Sequence, residues 1–418
     1  MAEGRGLKRT VYGDKPCIQS EKKQKKITPA ATIAANTTTV VTKTLLADAR
    51  NGFKKGNFVC SPLSLDIVLG MLTVGAEGET LKQLLGFLRH RSIDQFLSQS
   101  PSSKLLAQSL SKRDSGLEFS LVNSVWVEET DGPVLSSYQK VLQNVYKTEA
   151  KYMDFKDRVK LNEAVKEINS WVKKETKGLI PTMIKTDDFK GNEILVLANA
   201  LYFKGTWCKQ FEAQRTWTYD FYLMNGRKVS VPFMTLDKQR FQYGSFKGYT
   251  MIKLPYESND GSNHFSMYIF LPKRIDGLRD LIKLFHADDT LFYGDFDLEP
   301  KILRKLWIPK FKISSTFEPA DVMKQMGLTL PFDEMNREFR GIVPDGDFIY
   351  VSKILQKSVI EVDERGTVAA SCTMMMVGRG GCPPEINFVA DHPFMFMIRE
   401  DTSKAVFFVG AVLNPGVN

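Results

Sequence analysis

The chain has 418 residues, 43% of them hydrophobic and 25% charged, which is ample for one or two packed cores. Its longest apolar runs, such as "ILVLANALYF", fall well short of the roughly 20 residues that a membrane-spanning helix needs, so the expectation is a soluble globular protein without a membrane partner. The formal charge of +9 is uneven: residues 1–38 hold eight Lys/Arg against three Asp/Glu, and the remainder is nearly balanced.

The opening "MAEGRGLKRTVYGDKPCIQSEKKQKK" has no apolar stretch that would serve as a signal-peptide core, which points to an intracellular protein of the cytoplasm, the nucleus or both rather than an extracellular one. "EKKQKK" reads as a nuclear address, as a weak nucleic-acid contact, or simply as part of a solvated, disordered tail. No Pro/Gly/Ser-rich linker interrupts the chain after residue 40, so a basic extension over 1–38 and one domain over 39–418 are expected. Cys17, Cys60, Cys208, Cys372 and Cys382 are odd in number, widely spaced and never at CxxC distance. They indicate neither a disulfide framework nor a zinc site, and no metal or other cofactor is expected.

A helix is expected after Asn36, stopping at the Asn51-Gly52 pair. "NFVCSPLSLDIVLGMLTVGAEGETLKQLLGFL" then predicts a short buried strand and two helices, the first started by Ser61-Pro62 and broken from the second by Gly75 and Gly78. "LNEAVKEINSWVKKETKG" places Val165, Ile168 and Val172 on one helical face, with Gly178 as its stop. The second half turns to strands rich in β-branched and aromatic residues: "EILVLANALYFKGTW", "FYLMNGRKVSVPFM" with a hairpin signal at Asn225-Gly226, "YTMIKLPYE", "HFSMYIFLP", "LWIPKFKIS", "ILQKSVIEV" and "AVFFVGAVL". Helices come mainly first and strands later, without βαβ alternation, which predicts an α+β fold with large, mostly antiparallel sheets.

Enzymatic signatures are missing. His90, His264, His286 and His392 show no HExxH spacing and no nucleophile motif beside them, and there is no GxSxG, Walker-type loop or strand-borne GxGxxG. The Gly-rich "GRGG" is followed by two prolines rather than by a phosphate-facing helix. His392 reads instead as part of a strand entry, with Pro393 barring pairing at the first position and Phe394 opening a buried run.

That run, "FVADHPFMFMI", resembles the serpin signature. "SPLSL" with "GAEGET", "LANALYFKGTW", "LWIPKFKI" and "VIEVDERGT" follow in the order of that family, so the resemblance covers the chain from about residue 39. "FVADHPF" and "VSVPFM" are most similar to plant serpins. The resemblance implies a monomeric serpin-type fold with a bundle of helices and an exposed reactive-centre loop at about 364–385. It also implies suicide-type inhibition, in which a serine or cysteine endopeptidase attacks the loop and the cut loop enters the central sheet as a new strand. The hinge would be Glu364, Arg365, Gly366, Thr367, Val368, Ala369, Ala370 and Ser371, the reactive bond Gly380–Gly381, and the network controlling sheet opening Ser61, Ser64, Asn199, Gln356 and Trp207.

The loop's own chemistry suits insertion. Thr367 to Thr373 are all small or β-branched, and with period two Thr367, Ala369, Ser371, Thr373, Met375 and Val377 share one face with no charge and no proline among them. Arg365 and Val368 are less usual at the hinge positions they occupy. Gly380 offers a peptidase no side chain, whereas Arg379 would direct an Arg-specific cut to Arg379–Gly380 and shorten the inserted strand by one residue, about 3.3 Å. Gln356 stands where the family usually has a histidine bonded to a serine and an asparagine, here Ser61 and Asn199. A glutamine can donate and accept, but it does not titrate. These departures leave a second reading open, a non-inhibitory serpin that is merely cleaved or that binds a partner.

Overall fold

The computed structural model describes residues 35–99, 117–258, 264–344, 348–365 and 386–417. The basic extension up to residue 34 and the loop from Gly366 to Glu385 lie outside them. Helix α1 (Ala35–Arg50) buries Thr37 and Thr38, so packing reaches into the stretch that charge alone assigned to the tail. Strand β1 (Phe58–Cys60) leads to α2 (Pro62–Gly75), where the Ser61 hydroxyl accepts from the Ser64 amide and Pro62 occupies a position that needs no amide. After α3 (Gly78–Phe87) and α4 (Ile93–Gln99) come β2 (Leu117–Glu128), α5 (Ser136–Val141), β3 (Ala150–Met153), α6 (Arg158–Glu175) and β4 (Leu195–Gly205). The remaining elements are β5 (Thr216–Tyr222), β6 (Lys228–Ser245), β7 (Tyr249–Pro255), β8 (Phe265–Pro272), α7 (Leu278–Ala287), β9 (Glu299–Pro309), β10 (Phe311–Phe317), α8 (Ala320–Gln325), β11 (Val351–Val362), β12 (Ile386–Val389), β13 (Phe394–Glu400) and β14 (Val406–Val412).

The strands form two sheets. One runs β1-β14-β13-β8-β7-β6-β9-β12 with β5 added on β6, and the other runs β10-β11-β4-β2-β3. Most pairs are antiparallel, and the fold is α+β as its composition of elements predicts. The five-stranded sheet is covered on both faces. Leu195, Leu197, Leu201 and Phe203 of β4 join the main core with α2, β13 and β14. Val196, Ala198, Ala200 and Tyr202 face Leu161, Val165, Ile168 and Val172 of α6. Burial on both faces is why β4 reads as an almost unbroken apolar run, and why Asn199 stands out within it. Strand β2 is absent from the sequence-level expectation, because Ser120, Asn123 and Ser124 break up its apolar character.

Candidate functional site

Strand β11 lies parallel to β4, with Gln356 level with Asn199 and Ser358 level with Leu201. The pairs on either side, β10–β11 and β4–β2, are antiparallel. Two parallel neighbours can take one strand between them that is antiparallel to both, and a chain that reverses direction after β11 runs that way.

Beneath this seam is a buried polar cluster. Period two places Gln356 and Ser358 on the face of Ile354 and Ile360, and Asn199 on the face of Leu197 and Leu201, all directed at the main core. The Gln356 amide grips the Ser61 peptide at both ends: Nε2 donates to the Ser61 carbonyl at 2.8 Å, and Oε1 accepts the Ser61 N–H at 3.0 Å. The same Oε1 accepts the Cys60 thiol at 2.9 Å. Burial pushes that thiol well above the ordinary range, so it stays a neutral donor. Asn199 instead donates through Nδ2 to Oδ1 of Asn123, its partner on β2, at 2.7 Å.

The four residues Ser61, Ser64, Asn199 and Gln356 are therefore brought to one place, but in two separate sets. A bond between Gln356 and Asn199, expected from the histidine that usually stands at this position, is replaced by the grip on Ser61, because a planar amide matches a peptide group donor to acceptor and acceptor to donor. Ser64 contributes its amide to the Ser61 cap.

Trp207 is not in this cluster. It sits beyond the end of β4, stacked on Tyr256 at 4.4 Å, and its Nε1 donates to the Asp363 carbonyl at 2.9 Å. A Cβ on Gly205 would lie 2.4 Å from the Tyr256 ring, so only glycine allows this approach. Around Trp207 a charged latch holds the root of the loop. Lys204 pairs with Glu361 at 2.5 Å and Asp363 at 2.8 Å, and Lys310 pairs with Glu364 at 2.6 Å. The Thr216 hydroxyl donates to Glu364 at 2.6 Å, and the Arg365 N–H donates to the Asp363 carboxylate at 2.9 Å. Desolvation pushes Glu361 and Glu364 up, but the lysines and the Thr216 hydroxyl outweigh it and hold both carboxyls below the ordinary glutamate value. Lys204 is raised in turn: desolvation opposes the charge, and Asp363 and Glu361 overcome it.

Of the expected hinge, Glu364 and Arg365 thus have defined partners. Gly366, Thr367, Val368, Ala369, Ala370 and Ser371, together with Arg379, Gly380 and Gly381, lie outside the described residues. Among the described residues no cluster of three or more His, Cys, Asp or Glu is placed to hold a metal, and no helix is long and apolar enough to cross a membrane. Sequence reasoning placed Lys204 only as a position of the family motif, without its partners, and missed Cys60, Asn123 and the latch residues Asp363, Lys310 and Thr216.

Comparison with known proteins bears on this arrangement. The family described as Serpin (serine protease inhibitor) has a model that matches residues 36–415. Serpin-Z10 of Arabidopsis thaliana is 36% identical over 381 residues, 90% of this chain and 95% of its own. Serpin-Z2B of Triticum aestivum is 35% identical over 362 residues, 86% of this chain and 90% of its own. Among solved structures, Arabidopsis AtSerpin1 in its native stressed conformation superposes with a TM-score of 0.82 at 31% identity, covering 93% of this chain and all of that one. Native protease nexin-1 with heparin gives 0.77 at 28% identity, over 92% and 99% of the two chains.

Proposed function

The chain belongs to the serpin family, and from that premise we propose that it is a suicide-type inhibitor of a serine or cysteine endopeptidase. The observation that carries this reading is the parallel β4–β11 pair, with the loop rooted at the end of β11. The peptidase attacks the loop as a substrate, at Gly380–Gly381 or, if it is Arg-directed, at Arg379–Gly380. Once the peptidase nucleophile has displaced the amine side of the cut bond and is acylated by the loop's new C-terminal carbonyl, the N-terminal half of the loop turns back from Glu364 and Arg365 and enters between β11 and β4. Strand addition of this kind, of which serpin loop insertion is a standard instance, is driven by main-chain hydrogen bonds. About a dozen residues gaining ladder bonds at roughly 0.5–1.5 kcal/mol each favour it by on the order of 10 kcal/mol. The peptidase travels with the strand and is held before it can deacylate.

In this reading the protein acts as a monomer inside the cell, in the cytoplasm or nucleus. The free thiols of Cys60 and Cys208 suit a reducing compartment. The tail makes at most a weak nucleic-acid contact. Incubation with trypsin and with an Arg-specific cysteine peptidase, followed by denaturing gel analysis, tests the proposal. A complex that survives SDS supports it. Cleavage alone favours the second reading, a non-inhibitory serpin, for which Arg365, Val368 and Gly380 speak.

A further inference from the structure

Helix α1 lies against α2, against α7 and against the short turn Asp289–Phe292 that follows α7. The junction is polar on its α1 side, where Thr37, Thr38 and Thr42 are all buried and Thr39 is half-buried. The Thr39 hydroxyl donates to Asp289 Oδ2 at 3.1 Å, and the Tyr293 hydroxyl donates to Thr38 Oγ1 at 3.4 Å. Thr42 Oγ1 and His286 Nδ1 are 3.0 Å apart. From α2 a single carboxyl group enters this junction, that of Asp66.

Its setting is apolar apart from those hydroxyls. Every residue of α2 except Val74 is buried, Asp66 included. A hydrogen bond joins its carboxyl to the Thr37 hydroxyl, and no ion pair reaches it among the described residues. The other titratable groups of the junction are engaged elsewhere. Arg89, just beyond α3, pairs with Asp289 at 3.6 Å. Tyr293 is close enough to interact with Asp66, and burial keeps its phenol protonated. His286 faces Thr42, more than a turn further along α1, and Lys43 donates to the Gln325 carbonyl. Tyr138 and Tyr146 meet α2 a turn beyond Asp66, at Met71 and Gly70.

A carboxylate without a cation is costly to bury, whereas a neutral acid has only a hydroxyl and a carbonyl to satisfy. Burial accordingly pushes Asp66 well above the ordinary carboxylate range, and the Thr37 hydroxyl offsets only part of that.

We propose that Asp66 is a proton-dependent clasp: as a neutral acid bonded to Thr37 it holds α1 on α2, and the junction opens with release of that proton. The clasp needs neither the loop nor its insertion. Its sign is opposite to that of the loop root. An acid whose native pKa is raised contributes stability that is complete below its unfolded value and is lost as pH rises through the native value. Rising pH therefore loosens the α1 junction, while falling pH loosens the root held by Glu361 and Glu364.

The test follows unfolding in guanidinium chloride from about pH 5 to pH 8 in the parent and in Asp66→Asn, which keeps the shape and a hydrogen bond to Thr37 but cannot titrate. The folding constant of the variant relative to the parent should rise with pH by up to about tenfold per unit, the effect of one proton. A ratio that stays constant over this range overturns the clasp, since Asp66 would then titrate alike in the folded and unfolded chain. Amide hydrogen exchange in the parent alone, corrected for the intrinsic rate at each pH, decides the matter should the variant not fold. Opening the junction lets Asp66 ionise, so α1 should lose protection as pH rises. Helix α6, which covers the other face of the five-stranded sheet, should not. No change in α1, or equal changes in the two helices, would also overturn the proposal.

Discussion

Gln356 and Asn199 lie level across the parallel pair of β11 and β4, yet their side chains turn to different partners, Gln356 to the Ser61 peptide and Asn199 to Asn123. Each half of the sheet keeps its own polar set, so parting the strands at this depth breaks neither. Polar side chains cross the seam at its other end, where Lys204 of β4 holds Glu361 of β11 and Trp207 holds the Asp363 carbonyl. Side chains also bridge the far end of the seam, where the Ile194 N–H donates to Ser352 Oγ at 2.8 Å, but the bridge at the loop root is the one an entering strand meets first.

Gln356→Leu keeps the volume and removes the grip. The Ser61 N–H loses its acceptor and the Cys60 thiol loses its partner, both fully buried. At about 1–3 kcal/mol for a buried group left unpaired, the uncleaved protein should lose roughly 2–4 kcal/mol, read from its denaturant unfolding. An unchanged midpoint would mean that Gln356 is held by packing alone.

Trp207→Phe removes one donor, the Nε1–H to the Asp363 carbonyl, and keeps a ring to stack on Tyr256. The loss is about 1 kcal/mol at the root. Incubated without peptidase, the variant should lose inhibitory capacity several-fold faster than the parent as the seam opens unprompted. Equal decay would place the barrier elsewhere in the sheet.

The latch also sets a pH window. Glu361 and Glu364 have native pKa values below the ordinary 4.5. A lowered native pKa contributes stability that is fully present above the unfolded value and is lost as pH falls through the native value. The root should therefore hold steadily from neutral pH down to about 5 and loosen below about 4.5. Inhibitory capacity, assayed after return to neutral pH, should decay faster below that point in the parent. Glu364→Gln should decay faster already at pH 7 and respond less to acid. Parallel pH profiles for the two would remove Glu364 from the latch.

The sequence made parts of this site legible and hid others for physical reasons. Asn199 is reached only through the resemblance, as a position of the family motif in "LANALYFKGTW", whereas Ser61 is visible by itself because a serine followed by proline marks a helix start. Cys60 gave no signal, since a small buried thiol next to a strand end is ordinary until its acceptor is known. Asn123 was hidden with its strand, whose polar residues blur the alternation. The latch joins residues such as Lys204 and Glu361, which lie 157 positions apart, and a charge in "EVDERG" says nothing about which lysine will reach it.

Ala369→Arg tests insertion from the side of the loop itself. On the insertion proposed above, period two would put Ala369 on the same face as Thr367 and Ser371, turned toward a core that holds the fully buried Ile360. An arginine there would have to carry its charge beneath the sheet, where the nearby polar atoms belong to the Ser358 and Gln356 cluster and offer no carboxylate. An unpaired charge in such a place costs several kcal/mol, a large share of the roughly 10 kcal/mol that ladder bonds supply. Insertion would stall near its beginning, and the acylated peptidase would have time to hydrolyse the bond and leave. The expected outcome is turnover as a substrate, with cut protein accumulating and the SDS-resistant complex lost. The uncleaved variant should keep the unfolding midpoint of the parent. Ala369→Val, which adds bulk without charge and favours a strand, should retain the complex and so separate charge from size. An arginine variant that traps trypsin at the parental rate would mean that this residue does not pass under the sheet, and the inhibitory mechanism proposed for this chain would have to be given up.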